Sequence, residues 1–304
     1  MDLTTRLLAT YDQIIIYGAK GWVGRSAVDI LFSTKHALRK HQVLLIGSKT
    51  ESSKIANLPT DIYSSEESLI HIDSNVLFLN SAYLRREKIS GISEFTYEQA
   101  NAQITRFGLD LVRSKRVKTF INLSSGAASF GTMENLDLVT DPYAKCKIKD
   151  ESLIDSFCTN ANTQLINCRI YSMSGKYINE FNNLALTSFI DQAIREPQRV
   201  KVKSPSTLRT YIDSVDLVNV LFYLSLTGKN YRIDSGGSQI TLGQLAEIVS
   251  DAIKGSKVEI PKDFEKSSDY CGDFLSFNKL AGISGIQLKD IKKQVDETLN
   301  AFSY

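Results

Sequence analysis

A glycine-rich turn that directly follows a short apolar run limits what the first half of this chain can fold into. The run spans residues 14–17, and Gly18, Gly21 and Gly24 follow it at three-residue intervals. Glycines so spaced permit a tight turn, close approach of a ligand to the backbone and close packing of the next helix. Free amides at that helix N-terminus attract anionic groups. An ordinary glycine-rich turn is the alternative. The predicted pyrophosphate-binding residues are Gly18, Lys20, Gly21, Trp22, Val23 and Gly24.

Short apolar runs alternate with amphipathic stretches over the first 172 residues. This alternation predicts a Rossmann-type α/β fold, in which helices cover both faces of a doubly wound parallel sheet. The predicted strands are residues 14–17, 42–46, 76–79, 119–123 and 164–169. The predicted helices are residues 23–32, 97–114 and 143–159.

The rhythm changes after residue 172, where we expect a smaller C-terminal α/β substrate lobe. The lobe is predicted to span residues 173–304, interleaved with a dinucleotide-binding domain of residues 1–172 plus returning segments near 205–235. Its predicted elements are a strand at 199–203 and helices at 184–195, 214–226, 242–253 and 288–302.

Polar residues follow two of the predicted strands. Asn80, Ser81 and Ala82 end one strand, and Ser124 and Ser125 end another. Open α/β sheets bind ligands outside the carboxyl ends of their strands. We therefore expect residues 80–82 to contact the cofactor and the two serines to lie near a substrate.

The end of the second predicted strand bears on cofactor choice. An acidic residue there binds the ribose hydroxyls of NAD and repels a 2′-phosphate. This chain has Ser48 and Lys49 instead, and Lys20 lies in the glycine turn. The pattern favours NADP(H) and leaves NAD(H) possible. The alternative interpretation of Ser48 and Lys49 is a solvated loop.

Tyr143 and Lys147 are four residues apart, so they are neighbours on one face of a helix. A free tyrosine has a pKa of about 10, too high for efficient proton transfer near neutrality. An adjacent ammonium group stabilises the phenolate and lowers that pKa. The pair is therefore predicted to transfer a proton to a carbonyl oxygen as hydride reaches its carbon. By itself the pair also fits an exposed helix turn.

Together these motifs resemble the extended short-chain dehydrogenases/reductases, specifically the NAD-dependent epimerase/dehydratase family acting on nucleotide sugars. The resemblance covers residues 12–300. The matching segments are residues 18–24, 121–125, 142–147, 183–184 and 209–217.

The resemblance implies a role for each matching residue. Tyr143 would be the acid/base, Lys147 would also hold the nicotinamide ribose, and Ser125 would polarise the substrate oxygen. Ser124 is the other choice, because an ungapped reading puts Gly126 at the catalytic position. The remaining substrate-binding candidates are Asn183, which equally fits a helix cap, Arg209, which suits a diphosphate, and Ser172, which replaces the usual asparagine.

The resemblance also implies a homodimer through the helices predicted at 97–114 and 143–159. Asp213 and Asp216 are interpreted as structural. The segment after Ser125 is short for the family, and the tail has Asp273 without the arginine that often precedes it.

Four functions remain after the reactions are compared. Dehydratases carry Asp-Glu where this chain has Gly126-Ala127, and all three histidines lie in the first quarter, so the sequence disfavours a dehydratase and a Cys/His epimerase-reductase. The preferred function is NADPH-dependent reduction of a nucleotide-linked keto sugar, specifically a 4-keto-6-deoxy sugar. The alternatives are an NAD-dependent 4-epimerase, a reductase of a small ketone or flavonoid-type substrate, and a non-catalytic cofactor sensor.

Composition limits the partners. The net charge of +2 gives no reason to expect nucleic acid or an anionic membrane as a partner. The four cysteines form no CxxC motif, so reduced thiols in the cytoplasm and no metal site are expected. We expect no signal peptide, and no apolar run reaches the roughly 18–20 residues that a membrane span needs.

Overall fold

The structure, a computed structural model, describes residues 1–32, 42–178, 184–195 and 199–302. The chain forms two compact units. The first contains Met1–Ile170 and Val218–Ile233, and the second contains Tyr171–Leu217 and Asp234–Tyr304. Within the segment near 205–235, which was predicted to return to the dinucleotide-binding domain, Val218–Ile233 belong to the first unit.

The described elements are numbered along the chain. The helices are α1 Leu3–Thr10, α2 Trp22–Phe32, α3 Ser65–Ser68, α4 Glu94–Arg113, α5 Pro142–Ala161, α6 Ala185–Arg195, α7 Ser214–Ser225, α8 Leu242–Ala252, α9 Phe274–Ile283 and α10 Ile291–Phe302. The strands are β1 Gln13–Tyr17, β2 Val43–Ile46, β3 Glu51–Ile55, β4 Leu58–Ile62, β5 Val76–Asn80, β6 Val117–Ser125, β7 Gln164–Ile170, β8 Ser172–Ser174, β9 Val200–Lys201, β10 Leu208–Asp213, β11 Tyr231–Asp234, β12 Ser238–Thr241 and β13 Val258–Glu259. Among the described residues, no helix is long and apolar enough to span a membrane.

A six-stranded sheet in the order β11-β7-β6-β5-β1-β2 organises the first unit. The pairs β2–β1, β1–β5, β5–β6 and β6–β7 are all parallel. Every residue of β1, β2 and β5 is buried, as expected for strands with both faces covered. The parallel register brings the carboxyl ends of β1, β5 and β6 to one edge of the sheet.

Helices α4 and α5 cover one face of this sheet, over a core that includes Phe78 and Phe120. Helix α4 begins after Ser93, whose hydroxyl accepts the amide of Thr96 at 3.1 Å. Helix α5 begins after Asp141, whose carboxylate accepts an amide in its first turn, and Pro142 occupies the first helical position. These signals fix where α5 starts, and so place the predicted acid/base in its first turn.

The hairpin of β3 and β4 was not predicted. The pair is antiparallel, with Ile55 opposite Leu58, and the connecting residues Ala56 and Asn57 both have positive φ. That backbone is the tight turn whose twist suits two antiparallel strands. The strands carry few apolar residues, so hydrophobic patterning gave little signal, although Glu51 begins the first of them.

The second unit has its own sheet and core. Strand β10 pairs antiparallel with β12 and parallel with β8. A short parallel pair joins β9 and β13, where the sequence predicted a longer strand at 199–203. Helices α6, α8 and α10 contribute to a core that includes Leu186, Leu245 and Val295.

A lysine in the second unit is surrounded by three carboxylates. The ammonium of Lys289 lies 2.7 Å from a carboxylate oxygen of Asp213, 3.2 Å from one of Asp216 and 3.4 Å from one of Glu297. Asp213 is fully buried and also accepts the amides of Val215 and Asp216 at the start of α7. The structural interpretation of Asp213 and Asp216 matches these contacts.

Replacing Lys289 with methionine is expected to lower the free energy of unfolding of this unit by about 3–5 kcal/mol, because the buried Asp213 charge would lose its counter-ion. Urea denaturation followed by circular dichroism measures the loss. The exposed Lys292 on α10 provides the control, and Lys292→Met should be nearly neutral.

A second substitution separates charge from packing. Asp213→Asn in the Lys289→Met background removes the uncompensated charge and keeps an oxygen to cap α7, so stability should partly return. An unchanged stability in the double variant would contradict the electrostatic explanation.

Candidate functional site

The glycine turn lies against the end of β5. Gly18 has a φ of +89°, and a Cβ placed on it would lie 2.6 Å from the amide nitrogen of Ala82. A Cβ on Gly24 would collide with the carbonyl oxygen of Gly18. The hydroxyl of Ser81 donates to the carbonyl of Tyr17 at 2.7 Å. The structure thus brings the predicted turn and residues 80–82 together.

The turn leads straight into the N-terminus of α2. The amide of Gly21 donates to the carbonyl of Gly18 at 2.9 Å, and α2 begins at Trp22. The first amides of a helix, here those of Trp22, Val23 and Gly24, lack acceptors within the helix. A backbone cradle that any Cβ would fill, next to free helix amides, fits the pyrophosphate of a dinucleotide.

Two of the predicted cofactor lysines share one carboxylate. The ammonium of Lys20 lies 2.6 Å from one oxygen of Glu51, and that of Lys49 lies 3.5 Å from the other. The hydrogen bond from Lys20, with the charge of both lysines, holds the pKa of Glu51 below its ordinary value. Ser48 is exposed beside them. The two lysines that favoured NADP(H) in the sequence are therefore paired with an acid.

Three asparagine side chains join the neighbouring strands β5, β6 and β7. Asn80 donates to the side-chain oxygen of Asn122 at 3.2 Å, and Asn122 donates to that of Asn167 at 2.7 Å. All three are buried, and the side-chain oxygen of Asn80 has no donor among the described residues. The ladder replaces apolar packing near the strand ends and fixes their relative position.

Tyr143 stands in the first turn of α5. Its amide donates to the carboxylate of Asp141 at 3.1 Å, and its side chain packs against a buried apolar cluster that includes Ala127 and Ala128 of the 3-10 turn that follows β6. The rings of Tyr143 and Tyr83 meet edge to face, with their centroids 5.8 Å apart. Tyr143 is partly accessible, as an acid/base must be.

Lys147 is buried one helical turn further along α5. Its ammonium donates to the carbonyl of Leu123 at 3.1 Å and lies 5.9 Å from the ring centroid of Tyr143. Burial lowers the pKa of Lys147 to about 8, although the negative charges of Asp150 and Glu151 oppose the shift. The predicted Tyr–Lys pair is therefore assembled against the end of β6.

The two candidate serines point in different directions, because successive strand residues face opposite sides of a sheet. Ser125 accepts the amide of Ala127 at 3.2 Å and so starts the turn that Tyr143 packs against. Ser124 pairs in register with Arg169, which holds Glu151 of α5 through two hydrogen-bonding nitrogens. Burial opposes ionisation of Glu151, but the hydrogen bonds and positive charge of Arg169 keep its pKa below the ordinary value.

Two of the other predicted substrate ligands belong to the second unit. Ser172 on β8 and Arg209 on β10 belong to the second unit, and Asn183 lies outside the described residues. Arg209 donates to the carbonyl of Ser268 at 2.9 Å and lies over the ring of Tyr270, 5.8 Å from its centroid. Its guanidinium is thus held in place within its own unit.

A family model decides the relationship. The model described as the NAD dependent epimerase/dehydratase family matches residues 14–233. The chain belongs to this family. The match spans more than half of the chain and contains the glycine turn and the Tyr–Lys pair, so the predicted resemblance is confirmed. No curated protein sequence matches this family member significantly.

Solved structures of similar fold support the same architecture. A UDP-N-acetylglucosamine 4-epimerase from Methanobrevibacter ruminantium is 18% identical, with a TM-score of 0.69 over 97% of this chain and 99% of that one. A UDP-glucose 4-epimerase from Thermus thermophilus, in complex with NAD, is 15% identical with a TM-score of 0.69, over 96% and 99%. RMD from Pseudomonas aeruginosa, complexed with NADPH, is 17% identical with a TM-score of 0.68, over 96% and 98%. The Rossmann-type fold class is confirmed.

Sequence reasoning missed three residues that the fold brings to this region. Glu51 comes from the unpredicted hairpin, whereas Tyr83 and Asp150 contact each other, the tyrosine hydroxyl donating to the carboxylate at 3.0 Å. A signal existed for Asp150, which lies three residues after Lys147 and so on the same helix face. Nothing in the local pattern pointed to Tyr83 or Glu51.

Gly24→Ala is expected to weaken binding of a nicotinamide dinucleotide on the order of tenfold, because the added methyl group forces the turn away from α2. Fluorescence titration with NADPH and with NADH measures the change. Gly282→Ala serves as the control, because a Cβ there meets nothing within 4 Å. Equal affinities in wild type and Gly24→Ala would contradict a pyrophosphate cradle at this turn.

Proposed function

We propose that this family member is an NADPH-dependent reductase of a nucleotide-linked keto sugar, specifically a 4-keto-6-deoxy sugar. The observation that carries the proposal is the placement of Tyr143 and the buried Lys147 beside the carboxyl end of β6, in the same unit as the glycine cradle. A non-catalytic cofactor sensor would not need a lysine buried next to a tyrosine. Burying an ammonium costs free energy, which a functional centre can justify.

The chemistry assigned to the residues is proton transfer. Bound nicotinamide supplies the hydride that reduces the carbonyl carbon. The hydroxyl of Tyr143 donates its proton to the carbonyl oxygen, and the positive charge of Lys147 stabilises the phenolate that remains. Ser125, with Ser124 as the other choice, donates a hydrogen bond to the same oxygen. Lys147 has three donors, of which Leu123 takes one, so others can hold the ribose hydroxyls.

The substrate class rests on the family and on the second unit. Several solved structures of this fold are named for UDP-sugar enzymes. Arg209 supplies a guanidinium suited to a diphosphate, with Ser172 and Asn183 as further candidate ligands. The homodimer through α4 and α5 stays a prediction.

An NAD-dependent nucleotide-sugar 4-epimerase is the second candidate, and Glu51 favours it. A carboxylate at the end of β2 suits ribose hydroxyls and repels a 2′-phosphate. Here Glu51 forms salt bridges with both Lys20 and Lys49, two of the residues on which NADP(H) preference was predicted. Both lysines are more than half exposed, so their salt bridges with Glu51 are weak. A 2′-phosphate can therefore compete with Glu51 for them.

Tyr143→Phe is expected to lower turnover by about 10²–10⁴-fold, because the proton donor is lost while the ring remains. Turnover is measured as NADPH oxidation with UDP-, dTDP-, GDP- and CDP-linked 4-keto-6-deoxy sugars. NADPH affinity should be retained. Tyr231→Phe, which removes a hydroxyl that accepts from Thr227, is the control. Full activity in Tyr143→Phe would rule out the acid/base role.

Glu51→Gln distinguishes the two candidate functions. If the protein uses NADPH, removing the carboxylate should tighten NADPH about fivefold to tenfold and leave NADH unchanged, because a charge repelling the 2′-phosphate is gone. Glu66→Gln, an exposed carboxylate on α3, is the control. Weaker NADH binding with unchanged NADPH binding would show that Glu51 holds the ribose, and would favour the epimerase.

A further inference from the structure

Tyr83 lies between the two residues of the Tyr–Lys pair. The ammonium of Lys147 is 3.4 Å from the centroid of the Tyr83 ring, much closer than its 5.9 Å separation from the ring of Tyr143. The same Tyr83 ring meets Tyr143 edge to face. A cation over the face of an aromatic ring is attracted by the ring's negative quadrupole, and more strongly where water is excluded. Tyr83 therefore contacts both members of the pair.

The Tyr83 ring is itself anchored. Its hydroxyl donates to Asp150 at 3.0 Å, and Asp150 is buried on α5 three residues after Lys147. Burial and the negative charge of Asp150 both hold the pKa of Tyr83 well above its ordinary value, so its hydroxyl keeps the proton. Burial also raises the pKa of Asp150, and the charge of Lys147 opposes that shift. The ring thus bridges the lysine and its nearest carboxylate.

The remaining groups that face Lys147 come from α5 and β6. Asp150 and Glu151 contribute negative charge, and the carbonyl of Leu123 accepts a hydrogen bond. Burial raises the pKa of the Cys146 thiol to about 11, so this neighbour stays neutral near pH 7. Burial of Lys147 opposes these groups, because it disfavours the charged form of the lysine. Among the described residues, the carbonyl of Leu123 and the nearby ring face of Tyr83 replace the hydration of the ammonium.

We propose that Tyr83 is a positioning residue, whose ring face fixes the Lys147 ammonium beside Tyr143 and keeps it charged, while Asp150 fixes the ring. The catalytic consequence rests on the proposed function, because Lys147 must be charged to stabilise the Tyr143 phenolate. The ionisation of Lys147 does not rest on it. Without the ring, Lys147 loses its proton at lower pH.

The experiment measures the ionisation of Lys147 directly. Protein labelled with ¹³C at the lysine Cε is titrated by NMR, and the Lys147 signal is assigned by its loss in Lys147→Arg. Tyr83→Leu is expected to lower the Lys147 pKa by about one unit, a tenfold weaker hold on the proton. Tyr83→Phe keeps the ring face and should retain the wild-type pKa within about half a unit.

Unnatural residues at position 83 test the electrostatic role of the ring while its shape is kept. Phenylalanine carrying an increasing number of fluorines at position 83 keeps the ring and withdraws its negative face stepwise, so folding is preserved if Tyr83→Leu fails to fold. The Lys147 pKa is expected to fall with each step. An unchanged Lys147 pKa across the fluorinated series would overturn the proposal, because a merely space-filling ring would give that result.

Kinetics then separates this proposal from the proposed function. If the protein reduces a nucleotide-linked keto sugar, the alkaline limit of kcat should move with the Lys147 pKa across the series, while KM for the sugar changes little. If wild type turns over no such sugar, the proposed function fails, and the NMR titration still decides the role of Tyr83. A fixed alkaline limit despite a moving Lys147 pKa would overturn the catalytic part.

Discussion

The arrangement of the first unit depends on the burial of one ammonium group, that of Lys147. Lys147 is 5% exposed, and an unpaired charge in such a place would be strongly destabilising. Its hydration is replaced by the carbonyl of Leu123, the ring of Tyr83 and the charges of nearby carboxylates on α5. These groups come from the ends of β5 and β6 and from one helix, so the sheet and α5 must meet in a fixed relation. The cap at Asp141 fixes where α5 begins.

Polar contacts extend this constraint across the sheet. The ladder from Asn80 to Asn167 ties three strands together, and Arg169 of β7 holds Glu151 on α5. Buried polar groups that satisfy one another define a single arrangement more sharply than apolar packing does. The glycine turn packs on Ala82, just after β5 ends, so the turn lies at the same edge of the sheet. The residues proposed for cofactor binding and for proton transfer therefore lie at one set of strand ends.

Sequence predicted the parts of the fold that repeat a pattern. The apolar runs marked the parallel strands, and the caps around α5 placed Tyr143 and Lys147 on one helix face. The site residues that were missed lie outside the recognised motifs. Tyr83 follows a strand without any motif, and Glu51 begins a hairpin with weak apolar patterning. A local pattern signals chemistry that neighbours in sequence perform. It does not reveal which acid will pair with which base once the chain has folded.

The most direct test of the account asks which nicotinamide nucleotide the purified wild-type protein binds. NADPH and NADH are titrated by fluorescence, and denatured protein is checked for released nucleotide. An NADPH-dependent reductase should bind exchangeable NADPH about tenfold or more tightly than NADH. Tightly retained NAD⁺ would contradict the reductase and make the 4-epimerase the leading function. No binding of either nucleotide would contradict the nicotinamide site itself.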